Sequence, residues 1–226
     1  DYARHPDNFR VDSIEGFLND STAVNMVEYW KQIEATRLRK LLGDVPDPPP
    51  TLFKVDTIQK STIAKPINLV FLGDGYTATQ QTKFIADVNK VLVSFWATIP
   101  FGTYKDRYNV YAVKVISIDS GINHPNTASD CAYASPLVPK QTVNTYLGCT
   151  FDYGGTHRLV YTASYQLVID VLNNNTPNWT NCMILCNTTY YGGGGGTFAI
   201  GTTNASSAQI MIHEYGHSFG LLGDEY

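Results

Sequence analysis

The chain has 226 residues, 43% of them hydrophobic and 16% charged, with a formal net charge of −4. A chain of this length and apolar content can bury a core without staples, and its scattered Lys and Arg residues form no basic stripe of the kind that neutralises phosphates, which argues against a nucleic-acid partner. No window reaches the roughly 18 consecutive apolar residues that a membrane-spanning helix requires, so a soluble chain is expected.

The first residue is Asp1, not methionine. This suggests an upstream signal peptide, pro-segment or tag and leaves export open. Residues 1–50 begin polar and Asp-rich and carry one expected helix, about Val24 to Leu42, on which Val27, Trp30, Ile33, Leu38 and Leu41 form an apolar stripe. Gly43 and Pro46 end it. Asp47-Pro48-Pro49-Pro50 is a stiff extended linker by composition, so the main domain is expected at 51–226.

Beyond the linker, Thr51 to Ile58 alternates weakly like an edge strand, and Ile67 to Leu72 is an apolar run suited to a buried strand. Gly73-Asp74-Gly75 reads as a tight turn, with Asp74 the residue that tolerates unusual backbone angles. From about Thr79 to Thr98, Phe84, Ile85, Val88, Val91, Leu92, Phe95 and Trp96 share one helical face. Tyr108 to Ile118, rich in aromatic and β-branched residues, predicts a long strand. Strand, turn, helix, strand is the opening of an α/β domain.

Asp119 to Gly155 then runs without periodicity, and a stretch of that length is usually functional or held by a covalent or metal constraint. Cys131 and Cys149 bracket much of it and are the pair that would close it as a disulfide; free thiols are the alternative. Cys182 and Cys186, about 13 Å apart if their run is a strand, cannot bond to each other. His124 and His157 are isolated in sequence and read as polar surface residues rather than metal ligands. Arg158 to Thr162 predicts a strand, Ser164 to Asn173 a short helix and Asn181 to Asn187 another strand.

Gly192 to Gly196 is an unbroken glycine run before a short expected strand, Thr197 to Ile200. It is read either as a mobile rim where backbone approaches a ligand closely or as a flexible turn. Tyr190 and Tyr191 before it are expected to pack. Ser206 and Ser207 are the expected N-caps of a helix through Ile210, Ile212, His213 and His217 that ends near Gly220.

That helix carries the chemistry. His213-Glu214-Tyr215-Gly216-His217 fits HExxH, in which histidines at i and i+4 lie one turn apart on one helical face and can reach a single zinc ion together. Glu214 projects beside them, where its carboxylate can take a proton from water and later deliver it to a departing amine. The extended patterns HExxHxxGxxH and HExxHxxGxxD would put the third ligand at 223, but that position is Gly223. Asp224, reached by a loop one residue longer after Gly220, is the favoured third metal ligand; Glu225 and a residue beyond Tyr226 stay open.

The segment His213 to Gly220 followed by Asp224-Glu225-Tyr226, together with Leu72-Gly73-Asp74-Gly75-Tyr76-Thr77 and Tyr108 to Val113, resembles the bacterial IgA-peptidase-like metallopeptidases. The resemblance spans about residue 66 to the end. It implies a zincin domain of metzincin-like type, a mixed twisted sheet with an active-site helix, acting as a secreted or cell-surface zinc endopeptidase on protein or peptide substrates. Immunoglobulin cleavage, from which the family takes its name, is not carried over. Residues 1–50 are shorter than the β-rich domain of some relatives, and the chain stops nine residues after His217, before any Met-containing turn, so the C-terminal part of the domain is expected to be missing or cleaved from this form.

The expected activity is therefore peptide-bond hydrolysis, with substrate aligned by pairing to the strand near Thr197 to Ile200. Tyr226 is a further candidate for stabilising an oxyanion. The rival reading is a carbohydrate- or protein-binding module whose zinc only supports the fold.

Overall fold

The computed structural model describes residues 52–134 and 136–224. The expected helix at Val24–Leu42, the proline linker, Glu225 and Tyr226 lie outside the described residues. In chain order the elements are β1 (Val55–Gln59), β2 (Ile67–Asp74), α1 (Gln81–Ala97), β3 (Tyr108–Val113), β4 (Cys149–Thr150), β5 (Tyr161–Thr162), α2 (Tyr165–Asn175), β6 (Asn181–Cys186), β7 (Gly193–Gly194), β8 (Ala199–Thr202) and α3 (Ser207–Gly220).

β2 dictates the arrangement. Its side chains are apolar on both faces, and such a strand is stable only when both faces of its sheet are covered. It runs parallel between β3 and β6. β8 extends the sheet parallel to β6, while β1 and β7 add antiparallel edges, for the order β1-β3-β2-β6-β8-β7. The domain is thus mixed α/β with a mixed sheet.

The period of two along the strands sorts the core into two layers. Leu69, Phe71, Val110, Ala112, Met183 and Leu185 face α1 and α3, where Phe84, Val88, Phe95, Met211 and Tyr215 meet them. Val70, Leu72, Cys182 and Ile184 face α2 and the long connection after β3, through Val168, Leu172, Ile122, Leu147 and Phe151. Each such buried aromatic or aliphatic side chain contributes about 1.5–3 kcal/mol, enough to fix which face of α1 turns inward.

Several local expectations shift. β3 ends at Val113 rather than continuing to Ile118, because Ser117 turns back to β2: its amide donates to the Tyr76 carbonyl at 2.9 Å, and its hydroxyl accepts from the Gly75 amide at 3.0 Å. Asp74 is not a strained turn residue. It is the buried last residue of β2, and the left-handed position falls on Gly75 (φ 72°). The Asp74 carboxylate accepts from the amides of Leu147 (2.9 Å) and Cys149 (2.8 Å) and from the Thr145 hydroxyl (2.9 Å), pinning the long connection to the sheet. Burial pushes this carboxyl above its usual range against the pull of those hydrogen bonds.

Of the strand expected at Arg158–Thr162, only Tyr161 and Thr162 form one, and they pair with β4 outside the main sheet. All four cysteines are free and buried. The Cys131–Cys149 disulfide that the sequence left open is absent.

Candidate active site

The helix α3 starts at a cap the sequence reading missed. Neither Ser206 nor Ser207 caps it through its side chain. Asn204 does the work instead, its Oδ1 accepting from the Ser206 amide at 3.0 Å, while the Ser207 hydroxyl is drawn inward to Thr202 at 2.6 Å.

The rotation of α3 follows from Met211 and Tyr215, one turn apart and both fully buried. The Tyr215 ring stacks on Phe219 at 5.1 Å and meets Phe95 and Phe101 edge-on at 5.2 and 5.4 Å. At about 100° per residue, a face fixed by positions 211 and 215 leaves 213 and 217 on the opposite side of the helix. His213 and His217 therefore point out of the core, with His213 exposed and His217 half-buried.

Gly220 was expected to make the turn after the helix; it is instead the last helical residue. Leu221, whose amide still bonds to the His217 carbonyl at 3.1 Å, takes the left-handed conformation (φ 52°) that ends the helix. The chain then doubles back. The Leu222 carbonyl lies 2.7 Å from His217 Nδ1. A carbonyl can only accept, so Nδ1 carries the proton and the Nε2 lone pair faces outward.

Asp224 follows two residues later. Its Oδ1 lies 3.2 Å from His213 Nε2 and 3.3 Å from His217 Nε2, and the two Nε2 atoms are 3.0 Å apart. Of the candidates for a third ligand, Asp224 is the carboxylate that the structure brings to the histidines; Glu225 is outside the described residues. Three ligands of a tetrahedral zinc at about 2.0–2.1 Å would stand roughly 3.3–3.4 Å apart. The donor set and its spacing fit that ion, and the Leu222 carbonyl is the kind of outer partner that orients a ligating imidazole.

Glu214 is half-buried on the neighbouring side. Burial pushes its carboxyl above the usual range, and Asp224 pushes the same way, while His213 and His217 oppose. Its Oε2 occupies the space where a Cβ of residue 195 would stand. The glycine run is part strand and part exposed bare backbone standing against the Glu214 carboxylate. Gly193 and Gly194 form β7, paired to β8, and Gly195 brings bare backbone against the carboxylate. At Gly193 a Cβ would come within 2.6 Å of Ile210 Cγ2 and 2.8 Å of the Ile200 carbonyl.

The strand expected to align substrate by edge pairing is not an edge. The strand near Thr197–Ile200 is β8, Ala199–Thr202, and it lies inside the sheet between β6 and β7. β7 ends the sheet on that side, with Gly193 bonded on its outer side to Arg158 and Val160; two glycines carry no strand signal, so the sequence alone does not reveal it.

The sequence profile of the family IgA Peptidase M64 matches residues 56–226. The chain belongs to this peptidase family. No curated protein matches the chain. As a member of the M64 family it is a protease, with proteins or peptides as its substrates, and among the described residues no helix is long and apolar enough to cross a membrane.

The remaining residues singled out in the sequence divide. Tyr190 packs against the α2 side of the core, as expected, and Tyr191 is largely exposed. His124 and His157 are not surface residues. Both are buried, on the α2 side of the sheet, where they meet Cys131 and Asp152 in a second group of side chains able to hold a metal. The available signal was the long aperiodic stretch itself, which carries His124, Cys131 and Asp152, with His157 two residues past its end.

Proposed function

We propose that this M64 peptidase is a zinc-dependent endopeptidase in which His213, His217 and Asp224 hold the metal and Glu214 is the general base and acid. The observation that carries the reading is the convergence of two imidazole nitrogens and one carboxylate oxygen within 3.0–3.3 Å of one another, with a second carboxylate adjacent to them on the same helix. Zinc bound there would supply Lewis acidity and a water of lowered pKa. Three protein ligands leave a fourth position for substrate or water, which favours catalysis over a purely structural ion.

Glu214 accepts the proton of the attacking water and returns it to the amine that leaves, so one side chain serves both halves of the reaction. The peptide lies along the exposed backbone of Gly195 and Gly196 beside Glu214, just past Gly193, whose amide and carbonyl are already taken by Arg158 and Val160, and is held there by main-chain hydrogen bonds. Asp224 and the Leu222 carbonyl hold the imidazoles in register. The family resemblance extends the proposal to secretion or surface display.

Glu214→Gln is the decisive test, with zinc content and cleavage of a broad peptide library measured together. Zinc should stay bound while turnover falls by about 10²–10⁴-fold or more, the range for loss of a general acid–base group. Full activity in that variant would overturn the mechanism.

A further inference from the structure

We propose that His124, Cys131, Asp152 and His157 form a second zinc site, closed and structural, that fixes the long connection between β3 and α2. All four side chains are buried. Cys131 Sγ lies 3.6 Å from His124 Nε2, 3.3 Å from Asp152 Oδ1 and 3.5 Å from His157 Nδ1. Asp152 Oδ1 lies 3.1 Å from His157 Nδ1 and 3.3 Å from His124 Nε2. A tetrahedral zinc with bonds of about 2.3 Å to sulfur and about 2.0–2.2 Å to nitrogen and oxygen requires ligand atoms roughly 3.3–3.7 Å apart. One thiolate, two imidazoles and one carboxylate fill such a sphere, and the thiolate selects zinc over calcium or magnesium.

The protons leave a gap that a cation fills. His124 Nδ1 faces the Pro139 carbonyl at 3.0 Å, so it is the protonated nitrogen and the Nε2 lone pair is aimed into the cluster. That lone pair meets Asp152 Oδ1, itself an acceptor. Two acceptors 3.3 Å apart in a buried site need a shared cation or a shared proton between them, and the convergence of Sγ and His157 Nδ1 on the same point is the geometry of a metal.

The outer partners are in place too. The Thr127 amide donates to Asp152 Oδ2 at 2.8 Å, which leaves Oδ1 for the centre, and the His157 amide donates to Asp130 at 2.8 Å. The four ligands tie residue 124 to residue 157 across a stretch of little regular structure, where a metal clip supplies the order that a hydrogen-bonded ladder supplies elsewhere. Next to the last ligand, the Arg158 carbonyl accepts from the Gly193 amide and the Val160 amide donates to the Gly193 carbonyl, each at 3.0 Å. The clip thus borders the edge strand β7.

The test uses the full chain and needs no peptidase activity. Zinc is measured in the wild type and in His213→Ala/His217→Ala, and both are then stripped and reloaded with cobalt(II) alone. The double variant should lose one equivalent and keep another. Its cobalt form should show the sulfur-to-cobalt charge-transfer absorption of a thiolate ligand, which the site of His213, His217 and Asp224 cannot produce. Cys131→Ser should abolish that absorption and Cys149→Ser should retain it. A double variant that binds no metal, or binds cobalt without the sulfur band, overturns the proposal even if Cys131→Ser fails to fold. Because the α3 site is disabled in that variant, neither result depends on the peptidase reading.

Discussion

Gly195 and Glu214 share one volume: the carboxylate Oε2 of Glu214 occupies the place where a side chain at 195 would begin. The obstructing atom is the end of a flexible side chain, so Gly195→Ala should be accommodated by moving the carboxylate rather than the backbone. Stability should change by less than about 1 kcal/mol, and zinc content should not change. Turnover should fall at least about tenfold, because a general base displaced by an ångström loses its alignment. Denaturation midpoints measured beside steady-state kinetics separate the two effects, and an unimpaired kcat would count against Glu214 as the base.

Asp224→Ala should weaken zinc binding more than loss of an outer-shell partner, which costs about 10–100-fold in affinity. A competition titration against a chelator measures it. An unchanged affinity would move the third ligand to Glu225 or beyond.

Asp74 bears on stability alone. Its two oxygens accept from two amides and two hydroxyls of the long connection, those of Leu147, Cys149, Thr145 and Ser117. In Asp74→Asn one oxygen becomes a donor facing donors, which should cost about 1.5–3 kcal/mol. Urea unfolding should show the midpoint falling with the slope unchanged.

Asp87 predicts a pH dependence. Burial pushes its carboxyl up, but hydrogen bonds from Lys83 (2.6 Å), Lys90 (3.0 Å) and the Tyr76 hydroxyl (3.1 Å) win, and the folded-state value lies below the ordinary 3.8. A carboxylate whose pKa is depressed by folding contributes stability that is present above the unfolded-state value and is lost as pH falls through the folded-state value. The destabilisation caused by Asp87→Asn should therefore be full at neutral pH and shrink below about pH 3.8. Urea titrations of both proteins across that range measure the difference; a gap that widens in acid would reverse the assignment.

The features legible in the sequence are those set by local periodicity. The i, i+4 spacing of His213 and His217 places both on one helical face whatever surrounds them, and the same holds for the stripe on α1 and the apolar run of β2. Glu214 beside the histidines follows from the same geometry. Family membership was legible as well, because it rests on motifs that are contiguous in the chain.

Only the tertiary structure decided the rest. It turned β7 into the edge strand although glycines carry no strand preference, since the pairing is made by backbone against β8. It brought Asp224 to the histidines through a left-handed leucine that no propensity rule selects. It also gathered His124, Cys131 and Asp152 from one aperiodic stretch and His157 from just beyond it. Periodicity is a property of neighbours along the chain. These contacts depend on where the sheet, once closed, leaves the connecting backbone to run.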